Sequence, residues 1–334
     1  MSNVHMAVQT MIGDAFALTR NPAKIKALGS ETRKPFRFFL CGDPEFIASF
    51  RAMLLRSANG SETMDDSAGT LETIVPGRSF VPADDARCVL FFGRPGDREL
   101  ARLDLVQTLK LPIFSVIVDP EASPQIAPAA PAPGMIGEYI VPSLERDALR
   151  SRLFPHLVEV CRGVEIAVGR RLPALRESIG MKLTRDAATT SLTIAAASAV
   201  VDHVPLLGFI LGPLTAVGDT VAITGVQINL LLQIGSAYGK DPDVHRVWET
   251  LPIVGGGLGW RAISRELSGF FPVAGVAVKS AIAYAGTIVV GEGIVFYYEY
   301  GRHMTKNEAS ARFEETKRTA FGLLREFRRR ISRK

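Results

Sequence analysis

Apolar and polar residues alternate in blocks through the first half of the chain. FRFFLC (36–41), TLETIV (70–75), CVLFFG (88–93), PIFSVIV (112–118) and EYIVP (138–142) are short apolar runs. Rich in β-branched and aromatic residues, they predict buried strands. EFIASFRAMLLRS, DRELARLDLVQTLK and ERDALRSRLFPHLVEVC stand among them and read as helices. Buried strands separated by helices predict a parallel, doubly wound sheet. The Pro/Ala-rich run ASPQIAPAAPAPG falls between two strands and predicts an exposed loop. Ahead of the first strand, Val4 to Leu18 has the apolar residues of an amphipathic helix (Val8, Met11, Ile12, Phe16), and NPAKIKALGSETRKP reads as a polar, basic link.

The pattern changes after about Arg185. From Ala187 to Val290 charges thin out and Gly, Ala, Val, Ile and Leu dominate. Three echoes mark the edges of apolar segments: Val204-Pro-Leu-Leu-Gly208, Leu251-Pro-Ile-Val-Gly255 and Phe271-Pro-Val-Ala-Gly275. Proline suits the first turn of a helix and glycine lets backbones approach, so these predict turns and starts in a packed helical bundle. A membrane-spanning helix needs about 20 apolar residues. Of the uncharged stretches Ala187–Val201, His203–Gly218 and Thr220–Gly239, only the last has that length, and it contains Gln227, Asn229 and Gln233. Asp202 and Asp219 interrupt the series, and Lys279 and Glu292 interrupt Phe271 to Tyr298. A central aspartate costs about 2.5–3.5 kcal/mol on insertion scales. The expectation is therefore hairpins, re-entrant segments, or helices that hide polar residues against one another. Asp202, Asp219 and Lys279 are the intramembrane polar candidates. Asp202-His203 reads as the tip of a hairpin, and inside a membrane it would be a proton or ion site. Tyr297, Tyr298 and Tyr300 fit an interfacial aromatic belt and core packing equally.

Length and composition add bounds. At 334 residues the chain has room for two domains, each with its own core. Its three cysteines, Cys41, Cys88 and Cys161, are far apart and read as buried thiols of a reducing compartment. MSNVHMAVQTMIGDAF lacks the basic start, apolar core and cleavage site of a secretory leader. The five histidines are scattered without zinc-ligand spacing, and no G-x-S-x-G elbow is present. Basic residues do not interleave with aromatics, so nucleic-acid binding is not expected. The net charge of +5 is uneven, with six basic residues in the last ten. There Phe313, Ala320, Leu324, Phe327 and Ile331 draw one apolar stripe along a helix, beside Arg325, Arg328, Arg329, Arg330, Arg333 and Lys334. Arg325, Phe327, Arg328, Arg329, Arg330 and Ile331 are the expected contacts to a membrane surface or to a protein partner. Each basic residue near an anionic bilayer contributes about 1 kcal/mol.

In its order of elements the first half resembles a small GTPase domain of the translation-factor type. The phosphate loop of that family, G-x-x-x-x-G-K-[ST], needs free backbone N–H groups, a lysine and a hydroxyl. Counted from Gly42, the second glycine falls on Ile47 and the lysine on Ala48, while Ser49 keeps its place. The shape of the motif is expected to survive without its chemistry. The family's Asp-x-x-Gly corresponds to Ile74-Val75-Pro76-Gly77, and its base-reading Asn-Lys-x-Asp to Val118-Asp119-Pro120-Glu121. Gly42, Ser49, Gly77 and Glu121 are thus relict positions, and neither a cofactor nor a metal is expected. Phosphoryl transfer rests on positioning and charge neutralisation, and the residues for both are missing.

The second half, from Arg185 to Arg302, resembles the helical family that accompanies bacterial GTPase domains and includes the YcjF-type inner-membrane proteins (domain of unknown function 697). That resemblance implies membrane association and a link to GTPases. The expected organisation is an N-terminal helix and linker (1–35), a degenerate GTPase-like α/β doubly wound domain (36–165), an all-α domain of apolar helical hairpins (166–304) and a basic amphipathic C-terminal helix (305–334). The leading functional expectation is a non-enzymatic, membrane-associated pseudo-GTPase scaffold. Its expected partners are anionic lipid and either itself or a genuine GTPase, at the inner membrane with the G-like domain and C-terminus cytoplasmic. A soluble cytoplasmic protein is the alternative location. Two other functions stay open: a transporter or pore lined by Asp202, Asp219 and Lys279, and residual nucleotide hydrolysis with Ser49 on the metal and Glu121 on the base.

Overall fold

The apolar runs of the first half pair into one sheet because the central strands are buried on both faces and can satisfy their backbone only in a ladder. The computed structural model describes residues 22–58, 60, 62–66, 69–75, 84–97, 111–122, 137–201, 222–242, 276–305, 307–308, 310–312 and 315–316. In chain order these form helix α1 (Pro22–Glu31), strand β1 (Arg37–Gly42), helix α2 (Pro44–Leu54), and strands β2 (Leu71–Thr73), β3 (Ala86–Gly93), β4 (Ile113–Val118) and β5 (Gly137–Val141). Three short helices follow, α3 (Arg146–Arg150), α4 (Phe154–Glu159) and α5 (Glu165–Arg171). A 3-10 turn at Pro173–Leu175 leads into the long helices α6 (Arg176–Val201), α7 (Ala222–Ala237) and α8 (Val276–Tyr300).

Two compact units result. The first holds Ser30–Lys182 together with Ala237–Gly239. Its five strands are all parallel and lie in the order β2-β1-β3-β4-β5, a doubly wound arrangement of the 2-1-3-4-5 type. On one face Phe39, Cys41, Val89, Phe91, Ile113 and Ile117 form a buried cluster with Ile74. The alternate residues of the same strands serve the other face, where the Phe50 ring of α2 packs tilted against Phe92, centroids 4.7 Å apart. The expected single helix over 145–161 is two helices, α3 and α4. Pro155 has no N–H to give and sits in the first turn of α4, where that loss is harmless. The expected link before β1 also differs: PAKIKALGSE is helix α1, with Leu28 buried. Lysine, alanine and leucine are good helix formers despite the segment's polar look.

The α/β unit continues past residue 165 through α5 and the start of α6, where Val168, Leu172, Leu175 and Ile179 are buried. Arg176 fixes this end. Its Nε donates to Gly169 O at 3.1 Å and its Nη1 and Nη2 reach the Glu62 carboxylate at 2.6 and 3.3 Å. The guanidinium also lies 5.8 Å from the centre of the Tyr238 ring. Beside it, a Cβ on Gly169 would stand 2.9 Å from that of Ala237, so the backbone of α5 approaches this segment at a distance only glycine permits.

In the helical unit the closest helix approaches run through small and hydroxyl-bearing residues, among buried aliphatics such as Leu230, Ile234, Ile282 and Ile294. Along α6 the buried positions Thr184, Ala188, Ser191 and Ala195 recur at four, three and four, one seam of a packed helix. Thr287 of α8 donates to its own Ala283 O at 2.9 Å, and its Oγ1 accepts from the Ser191 hydroxyl at 2.9 Å and from Gln227 of α7 at 3.3 Å. A Cβ on Gly291 of α8 would sit 2.2 Å from Thr184 Oγ1, and one on Gly235 of α7 3.1 Å from the Tyr298 hydroxyl. Thr184 with Gly291 and Ser191 with Thr287 make α6 and α8 antiparallel. Gln227 with Thr287 and Gly235 with Tyr298 make α7 and α8 parallel. On the open face of α6 the hydroxyls of Thr189, Thr190 and Thr193 donate to carbonyls four residues back.

After α8 the chain starts a new helical stretch with a reciprocal capping box. Thr305 N donates to Glu308 Oε2 at 2.7 Å, and Glu308 N donates to Thr305 Oγ1 at 3.3 Å. The hydrogen bond from the Thr305 backbone, with others from the Arg302 and Thr305 side chains, lowers the Glu308 carboxyl to about 2.

Replacing Gly291 with alanine should overpack the α6–α8 contact and destabilise the protein by about 1–3 kcal/mol. The measurement is the denaturant midpoint, and adding Thr184→Gly should recover part of the loss. Glu308 supplies a pH test. Its folded pKa lies below the ordinary 4.5, so the cap is complete above that value and fails as pH falls towards about 2. Amide resonances of residues 305–312 should move over that interval in the full chain, and in Glu308→Gln they should not.

Candidate functional site

In an open parallel sheet, ligands bind beyond the carboxyl ends of the strands where the strand order reverses. Here that point lies between β1 and β3, and both strands end in glycine. Gly42 has φ +106°, and a Cβ on it would stand 2.0 Å from Phe92 O. Only glycine allows both the conformation and the approach. A Cβ on Gly93 would stand 2.8 Å from the Phe91 ring and 2.9 Å from Asp97 Cβ.

The connection from β1 to α2 is a single residue, Asp43. A phosphate loop leaves four residues between its glycines before the helix begins. The expected loop shape is therefore absent, and not only its chemistry. Counting donors makes the point. Asp43 N donates to Phe92 O at 2.9 Å, and Pro44 has no N–H. Glu45 N and Phe46 N donate to Asp43 Oδ1 at 2.9 and 3.4 Å. Ile47 N makes the first intrahelical bond, 3.0 Å to Asp43 O. Every donor of the first turn is taken, and the positive end of the helix already faces the carboxylates of Asp43 and Glu45.

The far wall of the crevice is the turn Arg94-Pro95-Gly96-Asp97. Asp97 N donates to Arg94 O at 2.9 Å, and Arg94 N donates to Asp97 Oδ2 at 2.7 Å. The Arg94 guanidinium reaches Asp43 Oδ2 at 3.5 Å and Glu45 Oε2 at 3.9 Å, and lies 5.1 Å from the centre of the Phe46 ring. It ties the two walls together. Among the described residues, three carboxylates and one guanidinium give the mouth a negative balance, the wrong sign for a phosphate.

The relict positions do not converge. Gly42 sits at the switch point as a turn residue. Ser49 is exposed in the second turn of α2, beside exposed Ala48 and buried Ile47. After β4, Asp119 closes a turn by accepting from Glu121 N at 3.0 Å, and Glu121 is exposed. Ile74 is buried and Val75 is 58% exposed. Gly77, Asp202, Asp219, Arg325, Phe327, Arg328, Arg329, Arg330 and Ile331 lie outside the described residues, as does the side chain of Lys279.

Asp43, Arg94 and Asp97 were not singled out from the sequence. Asp-Pro-Glu directly after a strand is a helix-start signal, and Arg-Pro-Gly-Asp is a turn signal. No group of metal-ligating side chains assembles among the described residues. The three cysteines are buried free thiols. Burial pushes Cys41 up to about 12 and raises Cys88 and Cys161 too, which keeps all three protonated and unreactive.

Asp43→Ala frees two donors of α2 and should cost about 0.5–2 kcal/mol. The denaturant midpoint should fall with an unchanged slope, while Asp43→Ser should stay near the parent.

Comparison of the chain with family models, with curated proteins and with solved structures finds no match.

Proposed function

We propose that this chain is a non-enzymatic, membrane-associated scaffold. In this reading the α/β unit is a degenerate G-like module that binds protein, and the apolar helices supply an anchor and a self-association surface. The observation that carries it is the switch-point crevice. With its donors occupied and Asp43, Glu45 and Asp97 at its mouth, the place where a doubly wound domain would hold a nucleotide is filled by the protein's own groups. Phosphate transfer needs free donors and positive charge at that place. The parallel strand order β2-β1-β3-β4-β5 is compatible with a G-like ancestry and is shared with other doubly wound folds.

Membrane association draws on α8. Ser280–Tyr300 is long and apolar enough to cross a bilayer. The threonine hydroxyls on the open face of α6 are satisfied by their own helix, as side chains facing lipid must be. The reading places the protein at the inner membrane with the α/β unit and the C-terminus in the cytoplasm, on anionic lipid, with another copy or a genuine GTPase as protein partner.

Two measurements test this on the full chain. Calorimetry with GTP and GDP in magnesium should give no binding at micromolar concentration. The protein should also stay with the membrane fraction through a carbonate wash. Tight magnesium-dependent nucleotide binding overturns the pseudo-GTPase part, and release by carbonate overturns the integral anchor.

A further inference from the structure

The geometry points to the C-terminal end of α8 as the element that sits at the lipid headgroup level, with the face Gly293, Phe296 and Tyr300 turned to the bilayer. This rests on the membrane reading above and adds where along the chain, and on which face, lipid is met.

Gly293, Phe296 and Tyr300 stand three and four residues apart and share one face of the helix. Most of the apolar body of Ser280–Tyr300 is buried, and its last turns are partly open at Glu292, Gly293 and Phe296–Glu299 and exposed at Tyr300. A Cβ on Gly293 would meet nothing within 4 Å, and Tyr300 is 57% exposed. The neighbouring positions Gly291, Ile294 and Val295 are buried. The Phe296 and Tyr300 rings lie 4.7 Å apart, and the Arg302 guanidinium stands 4.5 Å above Phe296. Tyr297 stacks on His303 at 5.4 Å, within 7° of parallel. Arg302 also reaches Glu308 at 3.4 Å, and Arg312 pairs with Glu292 at 3.5 Å and Glu315 at 3.2 Å.

Polarity therefore changes along the helix axis. The apolar body, whose last turns also carry Glu292 and Glu299, gives way to Phe296 and the tyrosines, then to Arg302, His303 and the charged residues beyond. A protein partner is matched by a patch on one side of a helix. A bilayer is matched by a gradient along its normal, from hydrocarbon to the interface where tyrosines gather and on to the charged surface. The order on α8 is the second kind.

Nitroxide labels test this in the full chain. Cysteine is introduced by Gly293→Cys or Tyr300→Cys and labelled, and the three native thiols, buried and protonated, stay unlabelled. Each protein is bound to vesicles of phosphatidylethanolamine and phosphatidylglycerol, and collisions with oxygen and with a water-soluble nickel chelate are compared. Seven residues of helix span about 10 Å, so the label at 293 should be open to oxygen and closed to nickel, and the label at 300 should lie at the headgroups. Two labels equally open to nickel on vesicle-bound protein overturn this placement and leave membrane association standing. Two labels shielded from both reagents overturn it in favour of a protein contact. If the unlabelled parent does not float with these vesicles, the membrane reading falls and takes this placement with it.

Discussion

The start of α2 governs what the α/β unit can do. A helix presents four backbone N–H groups that its own turns cannot satisfy, and in a doubly wound fold the first such helix begins at the ligand crevice. Here β1 passes into α2 through one residue, so no loop exists to carry a ligand to those groups. The Asp43 carboxylate accepts from two of them and Phe92 O from a third, while Pro44 removes the fourth. What would be a binding device becomes part of the fold's own hydrogen-bond network. Gly42 makes this possible, because its backbone lies against β3 where a side chain would collide. Arg94 then balances some of the charge that the cap introduces.

The helical unit answers a different constraint. Its helices are too apolar to gain orientation from burial alone, since every face of α8 before its last turns is much alike. Specific pairing comes from shape and from a few polar atoms: Gly291 admits Thr184, Gly235 admits Tyr298, and Thr287 links Ser191 and Gln227. Hydroxyls and amides inside a packed bundle fix which faces meet, in lipid as in water.

The legible part of this fold was the local part. All five strands stood out as apolar runs between helices, because a buried parallel strand needs little more than its own composition. The break at Pro155 was legible in principle and was overridden by the apolar periodicity on either side. Helix α1 was hidden by its polar surface, which describes where its side chains point and not what its backbone does. The crevice was half legible: Gly42 marked the place, but the closing groups come from Asp43 and from Arg94, 51 residues apart. The polar cluster of the helical unit could not be read at all, because Thr287 meets partners 60 and 96 residues away. Thr305-Lys-Asn-Glu308 carries the capping signal in its own sequence, set within a charged stretch.

The first unit is not one continuous piece of chain. Ala237–Gly239 belongs to it, with Ala237 against Gly169 and Tyr238 beside Arg176. A truncated fragment ending at residue 182 would keep the whole sheet and lose both contacts. The Arg176 side chain, 6% exposed against 44% for Glu62, would lose its aromatic neighbour and gain access to water, and the glycine of α5 would face a gap. No single cut along this sequence separates its two units cleanly, and a gene encoding either one alone would need a splice as well as a stop.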